Sequence, residues 1–368
     1  MSSRPKILVT SACGKTGLPT VLQLLETGYS VRAFVRRLDK RSKVLEAAGA
    51  EIFVGNQYSL TDMRAAMNGI RRAYQCAPGA PNGLHFNAIF TVAAYEAGLE
   101  HVVTLSQWLA SPNHPSQITR EVYISDILIA MRPEMTVTTI NVGWFADNYL
   151  MALESAVHLG MLTMPLGDGG VKKNAPPSNE DIASVVVGAL IDPATHAGKT
   201  YRPTGPDLMS PNDIAATMAK VLGRQVKYQD ISPKMMFKAM KAIPPPGFSD
   251  SAYSMLKTYS DEYRRGTFAI NAPTQDVEIV GGREPENFES IARRYLAKHP
   301  EITPSFAGKI KAVGGFLKIL FTRTPDIDAI DANKDSVGLE APTFSQDDIG
   351  WRETHRPKPQ PNATGKVA

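Results

Sequence analysis

The first segment with legible chemistry is Ile7-Leu-Val-Thr-Ser-Ala-Cys-Gly-Lys-Thr-Gly-Leu18. Its apolar start reads as a buried strand, and the apolar spacing from Leu18 onward reads as a helix. Gly14 and Gly17 then fall in the turn between them. Backbone free of side chains at that point lets a pyrophosphate approach the helix N-terminus, where amide donors favour an anion. The full turn pattern would be Gly-x-x-Gly-x-x-Gly, with Ser11 standing at its first position. Serine tolerates a tight turn less well than glycine, but its hydroxyl can face a phosphate. Lys15, Thr16 and the amides near Gly17 are the other expected donors. Two glycines alone arise often in loops; their place after the first strand of a βαβ unit gives them weight. The plainer alternative is a turn that serves chain packing only. The second strand ends Val35-Arg36-Arg37, without the acid that usually holds the ribose hydroxyls of NAD. A guanidinium there suits a 2′-phosphate, so NADP is expected in preference to NAD, with Arg36 in contact and Arg37 facing water.

These residues need a frame, and the hydrophobic pattern supplies one. Short apolar strands are expected at Ile7–Thr10, Val31–Val35, Glu51–Val54, Arg72–Cys76, His101–Leu105 and Thr136–Val142. Helical patterns at Leu18–Thr27, Leu38–Ala48, Leu60–Met67, Leu84–Ala97 and Ile118–Met131 separate them. Six such strands alternating with helices predict an α/β fold, a doubly wound parallel Rossmann sheet. Beyond Gly143 the pattern loosens. Ser178 and Ser210 read as N-caps of helices beginning near Ile182 and Ile214, the second with Pro211 at its first position. Further helices are expected over Pro233–Ile243 (ending at Pro244-Pro-Pro246), Asp250–Arg265 and Glu286–Lys298. The expected division is 1–150 for the nucleotide-binding domain, 151–300 for a smaller, mainly helical C-terminal substrate lobe, and 301–368 for an extension. In that extension Phe306–Phe321 is basic and apolar, with Gly314-Gly315 expected to interrupt a long helix. Packing on the protein or on a partner subunit is the preferred reading, and a membrane-surface helix the other. From His355 the sequence reads as a flexible tail.

Composition narrows the classes. The 368 residues carry 40 Lys+Arg against 36 Asp+Glu, a net charge of +4, with 43% hydrophobic residues. Basic residues are not gathered on one element over most of the chain, so no nucleic-acid partner is expected. The longest apolar runs are too short for an integral membrane segment, and the start lacks a signal-peptide pattern. Two cysteines, Cys13 and Cys76, are too few for a disulfide scaffold and point to a reducing, cytoplasmic setting. The seven histidines show no metal-ligand spacing, so no metal is expected.

With these residues in hand, the chain resembles the NmrA-like group of atypical short-chain dehydrogenases over roughly residues 5 to 295. That group includes NADPH-sensing regulators and NADPH-dependent reductases. Besides the turn and the Arg36 strand, Glu-Ile-Phe-Val-Gly-Asn56 resembles the third strand, where the group often has Asp beside the adenine. Asn56 or Gln57 takes that place by resemblance. Ala-Tyr-Gln-Cys-Ala-Pro78 resembles the fourth strand, which implies Ala77 and Pro78 along the cofactor. His-Val-Val-Thr-Leu-Ser106 resembles the fifth, ending at the cofactor with Ser106. Thr-Ile-Asn-Val-Gly-Trp-Phe-Ala-Asp-Asn148 resembles the segment near the nicotinamide and substrate, with Gly143 where the group commonly has Pro.

Classical reductases of this superfamily use a Tyr with a Lys four residues later. Here Tyr123 is followed four residues on by Ile127, and counting back from Gly143 puts Thr119 and Tyr123 at the two positions. Either way the pair is absent. Ser106 or Tyr123 could donate a proton alone, water could supply it, or the site could only bind cofactor. Trp108, Trp144, Phe145 and Tyr149 are candidates to line an apolar substrate pocket, with plain core as the alternative. His114, in the loop Ser111-Pro-Asn-His-Pro115, reads as a surface residue that could overhang the nicotinamide. Cys13 reads as small-residue packing or a redox-sensitive thiol. The expectation is an NADPH-dependent oxidoreductase acting on a small carbonyl, enone or quinone. The alternative is a non-catalytic NADP(H)-binding regulator; the expected partners are a small-molecule substrate and either a second copy in a homodimer or a regulatory protein. An epimerase with a tightly held cofactor is a third, lesser reading.

Overall fold

The computed structural model describes residues 4–78, 82–244, 251–332 and 338–356. Its first half is β1 (Ile7–Val9), α1 (Gly17–Glu26), β2 (Val31–Val35), α2 (Lys40–Ala47), β3 (Glu51–Val54), α3 (Leu60–Met67), β4 (Arg72–Gln75), α4 (Gly83–Glu96), β5 (His101–Gln107), α5 (Gln117–Ala130) and β6 (Thr136–Val142). Next come α6 (Ala146–Leu150), α7 (Leu153–Leu159), β7 (Met161–Met164), α8 (Asn179–Ile191), α9 (Pro193–His196) and β8 (Thr200–Tyr201). The sheet runs β3-β2-β1-β4-β5-β6-β8 and every pairing in it is parallel. The chain reverses its winding between β1 and β4, so the crevice for a ligand lies at the carboxyl ends of the strands there.

The sheet is buried on both faces, as its apolar strands require. On one side Val9, Val103 and Ile140 pack with Val21 and Leu24 of α1 and with Val185 and Val186 of α8. On the other, Leu8, Phe34 and Val102 meet Met63 of α3, Phe86 and Phe90 of α4, and Ile129 of α5. Residues after 150 therefore return to the sheet twice, through α8 and through β8. The two-residue β8 is too short to show an alternation in the sequence.

The remaining elements are α10 (Pro211–Leu222), β9 (Lys227–Asp230), α11 (Pro233–Ala242), α12 (Ser251–Arg265), α13 (Asp276–Ile279), α14 (Phe288–Lys298), α15 (Phe306–Phe321), α16 (Ile327–Ala332) and α17 (Ile349–Thr354). The Ser178 cap holds, accepting from the Asp181 amide at 2.9 Å. Ser210 and Asp213 form a reciprocal capping box ahead of Pro211. β7 and β9 make a small parallel pair of their own. A second core gathers Trp108, Trp144, Tyr149, Tyr263, Phe268, Phe288 and Trp351.

Two expectations about the extension fail. Residues 306–321 form one unbroken helix through Gly314 and Gly315. His355 is not the start of a free tail: its ring stacks on Trp351, with centroids 4.3 Å apart, and meets Trp108 edge-on at 4.2 Å. Trp351 drives this docking by burying its indole and donating from Nε1 to the Trp108 carbonyl at 2.9 Å. Asp250, the end of the Pro244–Pro246 run and the tail beyond Arg356 lie outside the described residues.

Candidate functional site

The turn after β1 is shaped by what its glycines lack. A Cβ on Gly14 would stand 2.9 Å from the Ser11 carbonyl oxygen, and one on Gly17 would overlap that oxygen outright. Both positions therefore bring backbone against backbone, so the tight turn into α1 requires glycine at each for its own packing. Ser11 occupies the left-handed region at φ 47°, where glycine is preferred. Its amide donates to Gln57 Oε1 at 3.0 Å, which fixes the strained residue to the loop after β3. Lys15 is exposed and lies 3.3 Å from Asp147 on α6, spanning from the turn to the far side of the crevice. Thr16 departs from expectation. It is buried, and its hydroxyl pairs with the Tyr74 hydroxyl at 3.0 Å, so it is not a free donor at the turn.

Beside this turn a cavity of about 330 Å³ opens at the ends of β2 and β3. Ser11, Gly14, Asn56, Gln57 and Pro78 line it, with Arg36, Arg37 and Arg41 on its rim. Ala77 is half-buried next to Pro78. Asn56 is exposed, and its Oδ1 accepts from the Tyr58 amide at 3.0 Å. Among the described residues Arg36 makes no ion pair. Arg37 stands 4.0 Å from Asp39, and Arg41 binds Asp39 at 2.6 Å while donating to the Cys13 carbonyl. The expectation that no acid serves this end of the site needs correction, since Asp39 lines the same cavity. That carboxylate is already engaged. Arg41's hydrogen bond, with help from the amides it caps at the start of α2, holds it down at about 2. Arg41 was not singled out in the sequence, because its role depends on the turn of chain that Asp39 caps. The glycine turn, the adjoining cavity and a guanidinium without an ion pair among the described residues thus lie together at the carboxyl ends of the strands.

At the carboxyl end of β5, Ser106 is buried and its hydroxyl donates to the Asp126 carboxylate on α5. Asp126 is partly buried, and burial pushes its carboxyl up to about 7, against the opposing pull of the Ser106 hydrogen bond. Asn141 of β6 is in register with Ser106, so the two share a sheet face; its buried Oδ1 has no hydrogen-bond partner among the described residues. Tyr123 is half-buried on α5, three residues before Asp126, and no hydrogen bond joins it to Ser106. The structure thus pairs one of the two proton-donor candidates with an acid that sequence spacing did not mark. The signal was present as a lone Asp in the apolar stretch Ile124–Ile129.

The aromatic candidates divide. Tyr149 is fully buried, its hydroxyl 2.9 Å from that of Tyr263, and Trp144 packs among Tyr149, Tyr263 and Phe268. Trp108 donates from Nε1 to the Thr267 carbonyl at 3.0 Å, under the Arg202 guanidinium. These three belong to the second core. Phe145 alone stays half-exposed near the strand ends. His114 is also interior rather than a surface residue, 3.3 Å from the buried Glu262 of α12. Burial raises the Cys13 and Cys76 thiols, which disfavours reactive thiolates. No cluster suited to a metal ion occurs among the described residues, and no described helix is long and apolar enough to cross a membrane.

Comparison with known proteins decides the lineage, because the NmrA-like family model matches residues 3–279. The chain belongs to the NmrA-like family. An NAD(P)H azoreductase of Xenophilus azovorans is 28% identical over 292 residues, covering 79% of this chain and 98% of that protein. An NADPH-dependent quinone oxidoreductase of Escherichia coli, solved with NADPH, superposes with a TM-score of 0.67 at 21% identity, over 79% of this chain and 99% of its own. NmrA itself, a negative transcriptional regulator solved with NAD, superposes with a TM-score of 0.65 at 15% identity, over 82% and 98%. These superpositions establish the shared NmrA-like Rossmann fold. The family match ends before α14, so α14 through α17 lie beyond it.

Proposed function

We propose that this chain is an NADPH-dependent reductase of a small organic acceptor, a quinone, enone or other carbonyl compound. The observation that carries the reading is the Ser106–Asp126 pair: a proton-holding acid and a hydroxyl on the same edge of the parallel sheet as the glycine turn and the Arg36 cavity. The names of the relatives, an azoreductase and quinone oxidoreductases, support it.

In this reading the amides at the mouth of α1 hold the diphosphate, and Arg36 grips the 2′-phosphate, with Arg37 adding charge. Asn56 and Gln57 flank the adenine, and Ala77 and Pro78 run along the cofactor. A bound nicotinamide coenzyme supplies the hydride. The chain supplies the proton. Asp126 holds it up to about pH 7; once protonated it donates to Ser106 Oγ, the reverse of the hydrogen bond seen with the carboxylate, and Ser106 donates its own hydrogen to the acceptor oxygen. Phe145 forms an apolar wall. The proton route needs no Tyr/Lys pair, and α5 offers none. That same absence favours the second reading, an NADP(H)-binding regulator without turnover; NmrA, a negative transcriptional regulator solved with NAD and with NADP, lends it support.

Steady-state coenzyme consumption against a panel of quinones, enones, aldehydes and azo compounds separates the two. The reductase reading expects NADPH oxidation dependent on at least one acceptor class. Coenzyme binding with no oxidation above background across the panel leaves the regulator.

A further inference from the structure

We infer that α15 is a docking helix for anionic membrane surfaces, a role independent of the reductase reading. The helix has two apolar faces of different kinds. Gly308, Ala312, Gly315 and Ile319 recur on the side that is turned against the protein. A Cβ on Gly308 would overlap the His158 ring at the end of α7, and one on Gly315 would stand 3.1 Å from Ile243 after α11. These small residues let the helix sit close, and they fix its rotation. Lys238 of α11 donates to the Leu320 carbonyl at 3.0 Å, and Lys311 lies 3.6 Å from Glu154, holding the helix from both sides.

The large side chains point the other way. Phe306, Ile310, Val313, Leu317 and Leu320 follow one helical stripe, with Phe321 beside its end, and all are exposed, Phe306 by 80% and Phe321 by 88%. No residue of the helix is buried. An outward stripe of this length is costly in water unless something apolar covers it.

Charge identifies the cover. From Ser305 to Thr324 there is no Asp or Glu, while Lys309, Lys318 and Arg323 stand in and just after the helix and Lys238 of α11 reaches its end at the Leu320 carbonyl. Among the described residues Glu154 is the one carboxylate paired to the helix, and Asp326 and Asp328 follow only after it ends. A second copy docking by a two-fold axis would set these lysines against themselves with no acid between. A bilayer with anionic headgroups meets both needs, taking the Phe and Leu side chains below the headgroups and pairing the lysines at their level. Sixteen residues are too few to span the hydrocarbon, so the helix lies flat.

Flotation of the full chain with vesicles of phosphatidylcholine alone, or containing phosphatidylglycerol, tests this. Binding is expected with the anionic vesicles and not with the neutral ones. The combined variant Phe306→Ser, Leu317→Ser and Phe321→Ser, which touches only exposed positions, should bind at least about tenfold more weakly with an unchanged melting temperature. Lys309→Glu with Lys318→Glu should lose about fivefold per lysine. The proposal is overturned if the wild type does not float with anionic vesicles, or if the serine variant floats equally well. It is also overturned if sedimentation shows a dimer of the wild type that the serine variant dissolves.

Discussion

Replacing Asp126 with asparagine keeps the shape of the side chain and removes its proton. Burial lifts this carboxyl from its ordinary 3.8 to about 7. At ~1.4 kcal/mol per pH unit that difference corresponds to about 4 kcal/mol; partial exposure reduces it to about 2 kcal/mol. The folded chain binds this proton more tightly than the unfolded chain does. The associated stability is therefore complete below about pH 4 and is lost as the pH rises to about 7. The asparagine side chain has no proton to lose, so Asp126→Asn should be the more stable protein above about pH 7, by about 2 kcal/mol in urea or thermal denaturation. Activity should move in the opposite sense. NADPH oxidation by the wild type should fall as the pH rises through about 7, where the acid empties. The variant should be slower by a factor of about 100 or more and show no such limb. A wild-type rate that rises through that range, or a variant with the wild-type rate and profile, would refute the proton role of the pair.

Other expectations rest on single contacts. Arg36→Ala should weaken NADPH by about tenfold to a hundredfold, the worth of a charged hydrogen bond, and leave NADH nearly unchanged in calorimetry. Arg37→Ala should do less, since that side chain has Asp39 nearby. Gly17→Ala drives a methyl into the Ser11 carbonyl and should abolish coenzyme binding while lowering the melting temperature. Trp351→Ala should cost about 3–5 kcal/mol by denaturation, because it empties a buried site and leaves the Trp108 carbonyl without its indole donor.

The sheet and its first helices were legible because continuous apolar strands and amphipathic helices differ in period. Leu60–Met67 falls where the pattern places it. The caps at Ser178 and Ser210 were legible too, because their hydrogen bonds are local. The site was only half legible. The places of Gly14 and Gly17 in the turn between β1 and α1, and of Arg36 just after β2, could be read because they follow from position in a βαβ unit. The inward turn of Thr16 could not, since it depends on Tyr74, which is distant in the chain. The Ser106–Asp126 pair likewise joins residues twenty apart on a strand and a helix, and only packing shows that they meet. For Trp108, Trp144 and Tyr149 the sequence left pocket and plain core both open, and the structure decides for core because Tyr263, Phe268 and Trp351 arrive from later in the chain to enclose them. The two central glycines of α15 looked like a break. A glycine pair weakens a helix by only about 1 kcal/mol per residue relative to alanine, and contact with α7 and α11 supports the helix here.

The most direct test is a calorimetric titration of the whole chain with NADPH and, side by side, with NADH. The glycine turn and the Arg36 cavity require saturable heat with NADPH and clearly tighter binding than NADH. Silence with both coenzymes would contradict the account at its root.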